Sequence, residues 1–259
     1  MSEFVLAKVE MDETAATIAA ERDNLAWAVE AIKSARTEIV RKIRQDDFFL
    51  TTLEPYEPAE DDPRVIKNMC EAASVAGVGP MATVAGVIAQ EALEALMSQG
   101  CSHCWVDNGG DVALRVGNPV TVEVFNEPGS TSAFALELEP TDGPVGICTS
   151  SGKLGHSISF GNADVAVAIA DTAQLADALA TAIGNRVVDA DSLRTCFDPF
   201  RGVSGFVGGL AMLDGETAMQ GRLPRLVEVE HSHDRVTAHS KMASPRFLGS
   251  YDHFNEVKT

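Results

Sequence analysis

The sequence has few aromatic residues, few basic residues and no long apolar run. Aromatic side chains make up 6% of the chain, and 20 Lys and Arg residues stand against 38 Asp and Glu residues, giving a formal charge of −18. Because a field of this sign repels phosphate backbones and anionic lipids, we expect neither nucleic acid nor a membrane as a partner. A nucleotide in a local pocket stays compatible, since backbone amides or a bound cation reverse the local sign.

Signals for export or membrane insertion are also missing from the sequence. No stretch approaches the roughly 18 apolar residues of a spanning helix, and the opening MSEFVLAKVEMDET has no basic segment followed by an apolar core. The 5 cysteines are an odd number, which favours free thiols in a reducing compartment over a disulfide framework. We therefore expect a cytoplasmic protein.

The spacing of apolar residues predicts helices packed against antiparallel strands. Residues 3–10 alternate apolar and polar side chains as a half-buried strand does, and residues 14–45 carry apolar side chains at helical spacing. Short alternating runs separated by Gly, Pro, Asn and Ser occupy residues 103–170, which is typical of an antiparallel sheet. A hairpin is expected over 205–220, turning at Asp214–Gly215.

Glycine and proline mark the ends of the other predicted helices. Asp62 and Pro63 suit a helix start and Gly77 a helix end, while Pro80 opens a second helix that Gly100 closes. A further helix is expected over 172–185. We predict an α+β fold with one domain over residues 1–222 and a C-terminal extension over 223–259, where the apolar pattern weakens.

Three segments rich in small residues are candidates for binding a ligand. The first, AGVGPMATVAGVIA, is a glycine turn that leads into a helix without bulky side chains. Helix N-termini expose unpaired N–H groups, and Gly and Ala allow close approach, so this segment suits a phosphate group. Plain helix packing would explain the same small residues. The contacts expected in this segment lie within residues 77–82 and include Gly79, Met81 and Ala82.

The second segment is the turn VDNGGDVAL at residues 106–114. Asn108, Gly109 and Gly110 can adopt positive φ and present backbone amides, and Asp111 can accept hydrogen bonds from ribose hydroxyls or bind a cation. An ordinary hairpin turn has the same composition.

The third segment, ICTSSGKLGHS at residues 147–157, joins hydroxyl groups to glycine. Thr149, Ser150, Ser151 and Gly152 supply hydroxyls and accessible amides without bulk, which suits an oxyanion or a pyrophosphate. Within the same loop, His156 is able to exchange protons near neutral pH. Mere joining of strands would not require a loop this polar.

One further pair fits these loops. Asp177 and Thr181 lie four residues apart in LADALATA and so project from one face of the predicted helix. A carboxylate and a hydroxyl are hard oxygen ligands of the kind that Mg²⁺ takes together with substrate phosphates. A hydrogen bond between Asp177 and Thr181 on a solvent-facing surface is the alternative.

In this order, GVGPMATVAGVIAQ, DNGGD, GICTSSGKLGHSISFGNADVAVAIA and LADALATAIGNRV resemble the UPF0280 family over roughly residues 3–222. More distantly, the motif order is similar to that of ApbE, the FAD:protein FMN transferase. The resemblance implies an ApbE-like, T-fold-like domain that binds FAD with Mg²⁺ and transfers a flavin or nucleotidyl group to a protein acceptor, with an oligomer as an open option.

The same resemblance assigns a role to each motif. The DNGGD turn and the TSSG loop would contact FAD, and Asp177 and Thr181 would match the Mg²⁺-binding residues. His156 falls where the transferase has the histidine needed for activity. Two positions depart from the transferase: Gly86 replaces a lysine, and SISFG replaces an Asp-Pro stretch, so binding is retained better than transfer.

CSHC at residues 101–104 favours a different function. A Cys-x-x-Cys pair can be a redox couple, a persulfide carrier or half of a zinc site. A zinc site would need two more ligands, such as His231, His233 or His239 in the tail. The alternative function is therefore a sulfur-handling protein of sulfur amino-acid assimilation that uses Cys101 and Cys104; ordinary reduced cysteines account for the motif as well.

Overall fold

The computed structural model describes residues 3–126, 132–151, 160–230 and 254–257. The strands are β1 (Phe4–Met11), β2 (Thr14–Glu21), β3 (Cys104–Asn108), β4 (Asp111–Arg115), β5 (Val120–Asn126), β6 (Ser132–Leu138), β7 (Val145–Ser150), β8 (Val165–Ala170), β9 (Phe206–Leu213), β10 (Glu216–Gly221), β11 (Arg225–Glu230) and β12 (Phe254–Val257). The α-helices are α1 (Leu25–Gln45), α2 (Asp47–Thr51), α3 (Arg64–Ala76), α4 (Val84–Ser98), α5 (Ala173–Arg186) and α6 (Ala190–Thr195). Short 3₁₀ turns cover Arg22–Asn24, Pro80–Thr83 and Asp198–Phe200.

Two antiparallel sheets carry the fold. The large sheet has the spatial order β10-β9-β8-β7-β4-β3-β2-β1-β12, and the small one has the order β11-β6-β5. Each neighbouring pair of strands is antiparallel, including the central pairs β4–β7 and β7–β8. The predicted class, helices packed against mainly antiparallel sheet, is confirmed.

The core has two layers because the large sheet is covered on both faces. Strand β8 shows the pattern: Ala166, Ala168 and Ala170 pack in the cluster shared with the helices, whereas Val167 and Ile169 pack in the cluster shared with the small sheet. Successive side chains of a strand point to opposite faces, so one strand serves both layers. Alanine on the helix side lets α5 lie close to the sheet.

The helix predicted from residue 14 begins later than expected. Residues 14–21 form β2, which pairs with β1 on one side and with β3 on the other, and the helix starts at Leu25. The strand was missed because TAATIAAE is buried almost throughout, and a strand covered on both faces lacks the alternation that marks a half-buried one.

The helix start expected at Asp62 also differs in detail. Pro63 occupies the N-cap position of α3, and the Asp62 carboxylate instead accepts hydrogen bonds from Lys42 Nζ at 2.6 Å and Ala59 N at 2.8 Å. The helix expected from Pro80 opens as a 3₁₀ turn and becomes α-helical at Val84. A buried cation needs a partner more than a helix N-terminus needs a cap, which is why the carboxylate turns to Lys42.

Two turn predictions are confirmed by backbone geometry. Gly77 ends α3 with a φ of 72°, the left-handed conformation that glycine adopts without strain. Asp214 and Gly215 have φ values of 49° and 84° and join β9 to β10 in a tight hairpin, with Leu213 opposite Glu216.

The C-terminal region contributes strands to both sheets. Strand β11 pairs with β6 along its length, and β12 pairs with β1. The division at residue 222 stays a prediction. Across the described ranges no single helix meets the length and apolarity of a membrane span; only the pair Arg64–Ala76 and Pro80–Ser98, bent by 102°, does so together.

Candidate functional site

Glycine allows the first turns of α4 and α5 to touch. A Cβ at Gly86 would lie 2.5 Å from the carbonyl oxygen of Ala173 and 2.8 Å from Cβ of Asp177. On the sheet side, a Cβ at Gly146 would lie 2.5 Å from Cα of Ala173. Helix α4, helix α5 and strand β7 therefore meet at Ala173 with no room for another side chain.

Asp177 joins the two helices through its carboxylate. The Asp177 side chain is buried, and its Oδ2 accepts a hydrogen bond from the backbone N–H of Gly86 at 2.9 Å. Burial raises the pKa of Asp177 to about 7, while the amides of Gly86 and Ala85 oppose this rise. The start of α4 thus supplies the N–H donors predicted from its small residues, and in this structure Asp177 receives them.

The β3–β4 turn is fastened to the same helix terminus. Gly109 and Gly110 have φ values of 72° and 100°, as the Asn-Gly-Gly pattern predicts. Asp107 Oδ1 accepts a hydrogen bond from Gly110 N at 2.9 Å, and Asn108 Nδ2 donates to the Ala85 carbonyl at 3.1 Å. The second candidate segment therefore lies against the first.

The third candidate segment adjoins the turn through strand β7. Thr149 Oγ1 donates to the Gly110 carbonyl at 3.4 Å, and a Cβ at Gly110 would lie 2.9 Å from that hydroxyl. Asp111 stands directly opposite Cys148 in the β4–β7 register. The structure thus brings together residues 108–111, Thr149 and the start of α4.

Asp111 has an oxygen with no partner. Its Oδ1 is enclosed and has no hydrogen-bond partner among the residues that the structure describes. Burial first, and then the negative charge of Asp177, raise the pKa of Asp111 well above its usual range, while the Cys148 thiol and the Thr149 amide lower it. Two carboxyl groups from different elements consequently share one enclosed polar cluster.

Cys148, which the sequence did not single out, belongs to that cluster. It is completely buried, and its Sγ donates to the Ala173 carbonyl at 3.3 Å. Burial, and then the negative charges of Asp111 and Asp177, raise the pKa of this thiol well above its usual value. Cys148 is therefore a neutral donor here and not a nucleophile.

Gln90 is a second residue that sequence reasoning missed. Its Oε1 accepts from Ala173 N at 3.0 Å and its Nε2 donates to Glu94 Oε1 at 3.1 Å. The side chain is buried and ties the first residue of α5 to α4. A glutamine within the apolar run VIAQEAL was the available signal, because a buried amide must find partners.

The other predicted residues of the third segment and of α5 follow Thr149 and Asp177 along the chain. Ser150 lies beside Gly184 near the end of α5, and Ser151 Oγ donates to the Asp164 carbonyl at 2.8 Å, so that hydroxyl already has a structural partner. Thr181 is half-buried one turn after Asp177. Gly152 and His156 lie outside the described residues.

The turn at residues 77–82 has a packing role. A Cβ at Gly79 would lie 2.0 Å from the carbonyl oxygen of Thr52, the residue that follows α2. Glycine is therefore required at this position, because a side chain would collide with that backbone. Met81 and Ala82 are partly buried against the main core. Helix packing, the alternative reading of this segment, accounts for Gly79, while Ala85 and Gly86 contribute the contacts to the polar cluster.

The two cysteines of the Cys-x-x-Cys segment are buried. Cys101 and Cys104 are free thiols inside the core, and Asn24 Nδ2 donates to Cys101 Sγ at 3.0 Å. Burial raises the pKa of Cys104 to about 12 and raises that of Cys101 as well. Within the described ranges no group of three or more His, Cys, Asp or Glu side chains could hold a metal ion, and His231, His233 and His239 lie outside them. A reactive thiolate is thus not favoured at this site.

Comparison with known proteins agrees with this architecture. The family model described as AbpE bacteria matches residues 4–195. A UPF0280 protein of Methanocella arvoryzae is 41% identical over 231 residues, covering 89% of this chain and 94% of the relative. One from Archaeoglobus fulgidus is 40% identical over 235 residues, covering 89% of this chain and 97% of the relative.

Solved structures of low sequence identity share the fold. The flavinyl transferase ApbE of Pseudomonas stutzeri, in its apo form, gives a TM-score of 0.57 at 10% identity, covering 85% of this chain and 96% of that chain. The flavin transferase ApbE of Vibrio cholerae gives 0.53 at 11% identity, covering 85% and 97%. This chain belongs to the UPF0280 family, and its fold is ApbE-like.

Proposed function

We propose that this protein binds an FAD-type dinucleotide together with Mg²⁺ at the cluster formed by the β3–β4 turn, Thr149 and the start of α4. The observation that carries the proposal is a pair of neighbouring carboxyl groups beside glycine-rich backbone: the buried Asp177, and the half-buried Asp111 with its enclosed Oδ1. The fold relatives are described as flavin transferases, which indicates the class of ligand.

The donor set fits a magnesium ion held partly by a ligand. Mg²⁺ binds proteins through one or two carboxylates and takes its other oxygens from water and substrate phosphates. Asp177 provides a buried carboxylate, and Thr181 follows it by one helical turn. In the part of the chain that the structure describes, no cationic side chain shifts the pKa of Asp177, so a bound cation would relieve the cost of burying its charge.

Different residues of the chain would bind the pyrophosphate and the cation. The Gly109 amide and the Thr149 hydroxyl would contact the pyrophosphate, and Asp177 with Thr181 would hold the cation. When bound, Mg²⁺ supplies positive charge beside the phosphoryl oxygens.

A transfer reaction at this site would follow from the same arrangement. The hydroxyl oxygen of the protein acceptor would bond to the flavin-side phosphorus, the bond from that phosphorus to the bridging oxygen would break, and AMP would leave. His156 is our predicted acceptor for the hydroxyl proton. Gly86, however, has no space for the lysine that the transferase carries, because its Cβ position is 2.5 Å from a backbone carbonyl. We therefore propose ligand binding first and transfer second.

A thermal-shift screen tests the proposal. FAD, FMN, NAD and ATP are compared with and without Mg²⁺, since a ligand of the native state raises the melting temperature by mass action. We expect FAD with Mg²⁺ to give a shift that Asp177→Ala removes and Thr181→Ala reduces. Asp191→Ala is the matched control. The Asp191 side chain is 92% exposed, so this substitution removes the same charge at a position on the surface. A magnesium-dependent shift that survives Asp177→Ala would refute the metal assignment.

A further inference from the structure

The polar cluster contains one more carboxyl group than the Asp177–Thr181 pair provides. Asp111 comes from strand β4 and Asp177 from helix α5, and Asp177 raises the pKa of Asp111 through its charge. The fold therefore brings together two carboxyl groups that lie far apart in the sequence. Natural proteins rarely bury two carboxylates side by side unless a cation or a proton lies between them.

The Asp111 carboxyl has one enclosed oxygen, Oδ1, that accepts no hydrogen bond from the residues that the structure describes. The Cys148 thiol and the Thr149 amide lie near enough to this carboxyl to lower its pKa. The β4–β7 register holds Asp111 opposite Cys148, which fixes its position on the strand. A buried carboxylate oxygen without a donor is expected to have a ligand in the working protein.

The surroundings of Asp111 point to the class of that ligand. Among the residues that the structure describes, the groups acting on it besides the Thr149 amide are Asp177, Cys148 and Asp107, and none of these is a Lys, Arg or His. Asp177 is in the same position, since the described groups that act on its carboxyl besides burial are the backbone amides of Gly86 and Ala85 and, reciprocally, Asp111. Within the described ranges no cationic side chain acts on either carboxyl group, so the ligand class that fits their oxygens is a cation rather than an anionic phosphate.

We propose that Asp111 is a second carboxylate ligand of the divalent cation that Asp177 binds. This inference rests on the proposed function, and it adds the strand residue of the DNGGD turn to the helix residues Asp177 and Thr181. Two carboxylates leave room for phosphate oxygens and water in an octahedral Mg²⁺ shell. The DNGGD turn then connects the nucleotide-contacting amide of Gly109 directly to the cation.

Direct binding of Mn²⁺, followed by the loss of its free-ion electron paramagnetic resonance signal, tests the proposal without any nucleotide or turnover. Asp111→Asn keeps the shape of the side chain and removes its charge. We expect it to weaken Mn²⁺ binding at least about tenfold, since loss of even an outer-shell partner costs 10–100-fold. Asp107→Asn is the matched control: it removes a charge from the same turn, and an amide oxygen can still accept from Gly110 N. It should change Mn²⁺ affinity by no more than about threefold, because it removes one nearby negative charge and no ligand of the cation.

A second variant guards against a merely structural effect. Asp111→Cys offers a soft sulfur ligand. If residue 111 binds the cation directly, this variant should prefer Cd²⁺ over Mn²⁺ more strongly than the wild type does, whereas Asp107→Cys should keep the wild-type preference. If Asp111→Asn and Asp111→Cys both bind Mn²⁺ as the wild type does, while Asp177→Asn does not, this inference is overturned and the proposed function stands. If the wild type fails to bind Mn²⁺ even with ADP present, both fail.

Discussion

Replacing Gly86 by alanine tests the tight contact on which the site depends. The added Cβ would lie 2.5 Å from the Ala173 carbonyl oxygen, 2.8 Å from its carbonyl carbon and 2.8 Å from Cβ of Asp177. Two of these three atoms belong to backbone, so no flexible side chain can turn away to make room.

The expected magnitude follows from two opposing effects. Overpacking of this kind costs about 1–3 kcal/mol, while alanine in place of glycine within a helix contributes about 1 kcal/mol in the other direction. Since the contact is far inside normal Cβ distances, we expect the upper part of the first range and a net loss of about 1–2 kcal/mol. For a chain of this size each kcal/mol lowers the melting temperature by about 2–4 °C.

Urea unfolding followed by circular dichroism measures this loss, and Gly143→Ala is the matched control. Gly143 has no heavy atom within 4 Å of its Cβ position and no positive φ, so alanine should leave stability within about 0.5 kcal/mol of wild type. A Gly86→Ala protein as stable as wild type would show that α4 and α5 do not meet as described.

Three further predictions concern charge, sulfur and transfer. The folded-state pKa of Asp177, about 7, lies above the ordinary value of 3.8, so the native protein holds this proton more tightly than the unfolded chain does. Without added cation, the contribution of Asp177 to stability should therefore fall as pH rises through that interval and level off above it. The free energy of unfolding, measured with urea, should then vary less with pH in Asp177→Asn than in the wild type. An unchanged pH dependence would contradict the burial of this carboxyl. The Cys101→Ser/Cys104→Ser double variant should keep nucleotide binding in the thermal-shift assay. If instead the wild type binds no nucleotide, and mass spectrometry shows that it forms a persulfide which the double variant does not form, the sulfur-handling alternative is supported. Incubation with FAD, Mg²⁺ and a threonine-containing acceptor peptide should give little FMN adduct, because Gly86 provides no ammonium group and losing one such contact costs on the order of a hundredfold in rate; rapid flavinylation lost on His156→Ala would overturn this.

Local signals were enough where the backbone conformation is set by neighbouring residues. Gly77 and the Asp214–Gly215 pair predicted a helix end and a hairpin because only certain residues adopt left-handed φ. Strand β2 was misread as helix because burial on both faces removes alternation, which is the signal that distinguishes a strand.

The site was predictable as a set of motifs but not as a set of contacts. The three loops and the Asp177–Thr181 pair were visible in the sequence, and the family resemblance supplied their order. The contact between Asn108 and Ala85, 23 residues apart, depends on how a strand turn meets a helix terminus. The coupling of Asp111 to Asp177 and the presence of Cys148 depend on the same three-dimensional packing, which no local pattern records.

Calorimetric titration of FAD and of riboflavin into the protein, each with and without Mg²⁺, tests the central claim most directly. A site built from amides, hydroxyls and paired carboxylates recognises the pyrophosphate through a cation, so we predict that FAD binds only with Mg²⁺ and that riboflavin does not bind. Equal binding of riboflavin and FAD, or FAD binding that is indifferent to Mg²⁺ and unaffected by Asp177→Ala, would contradict the account.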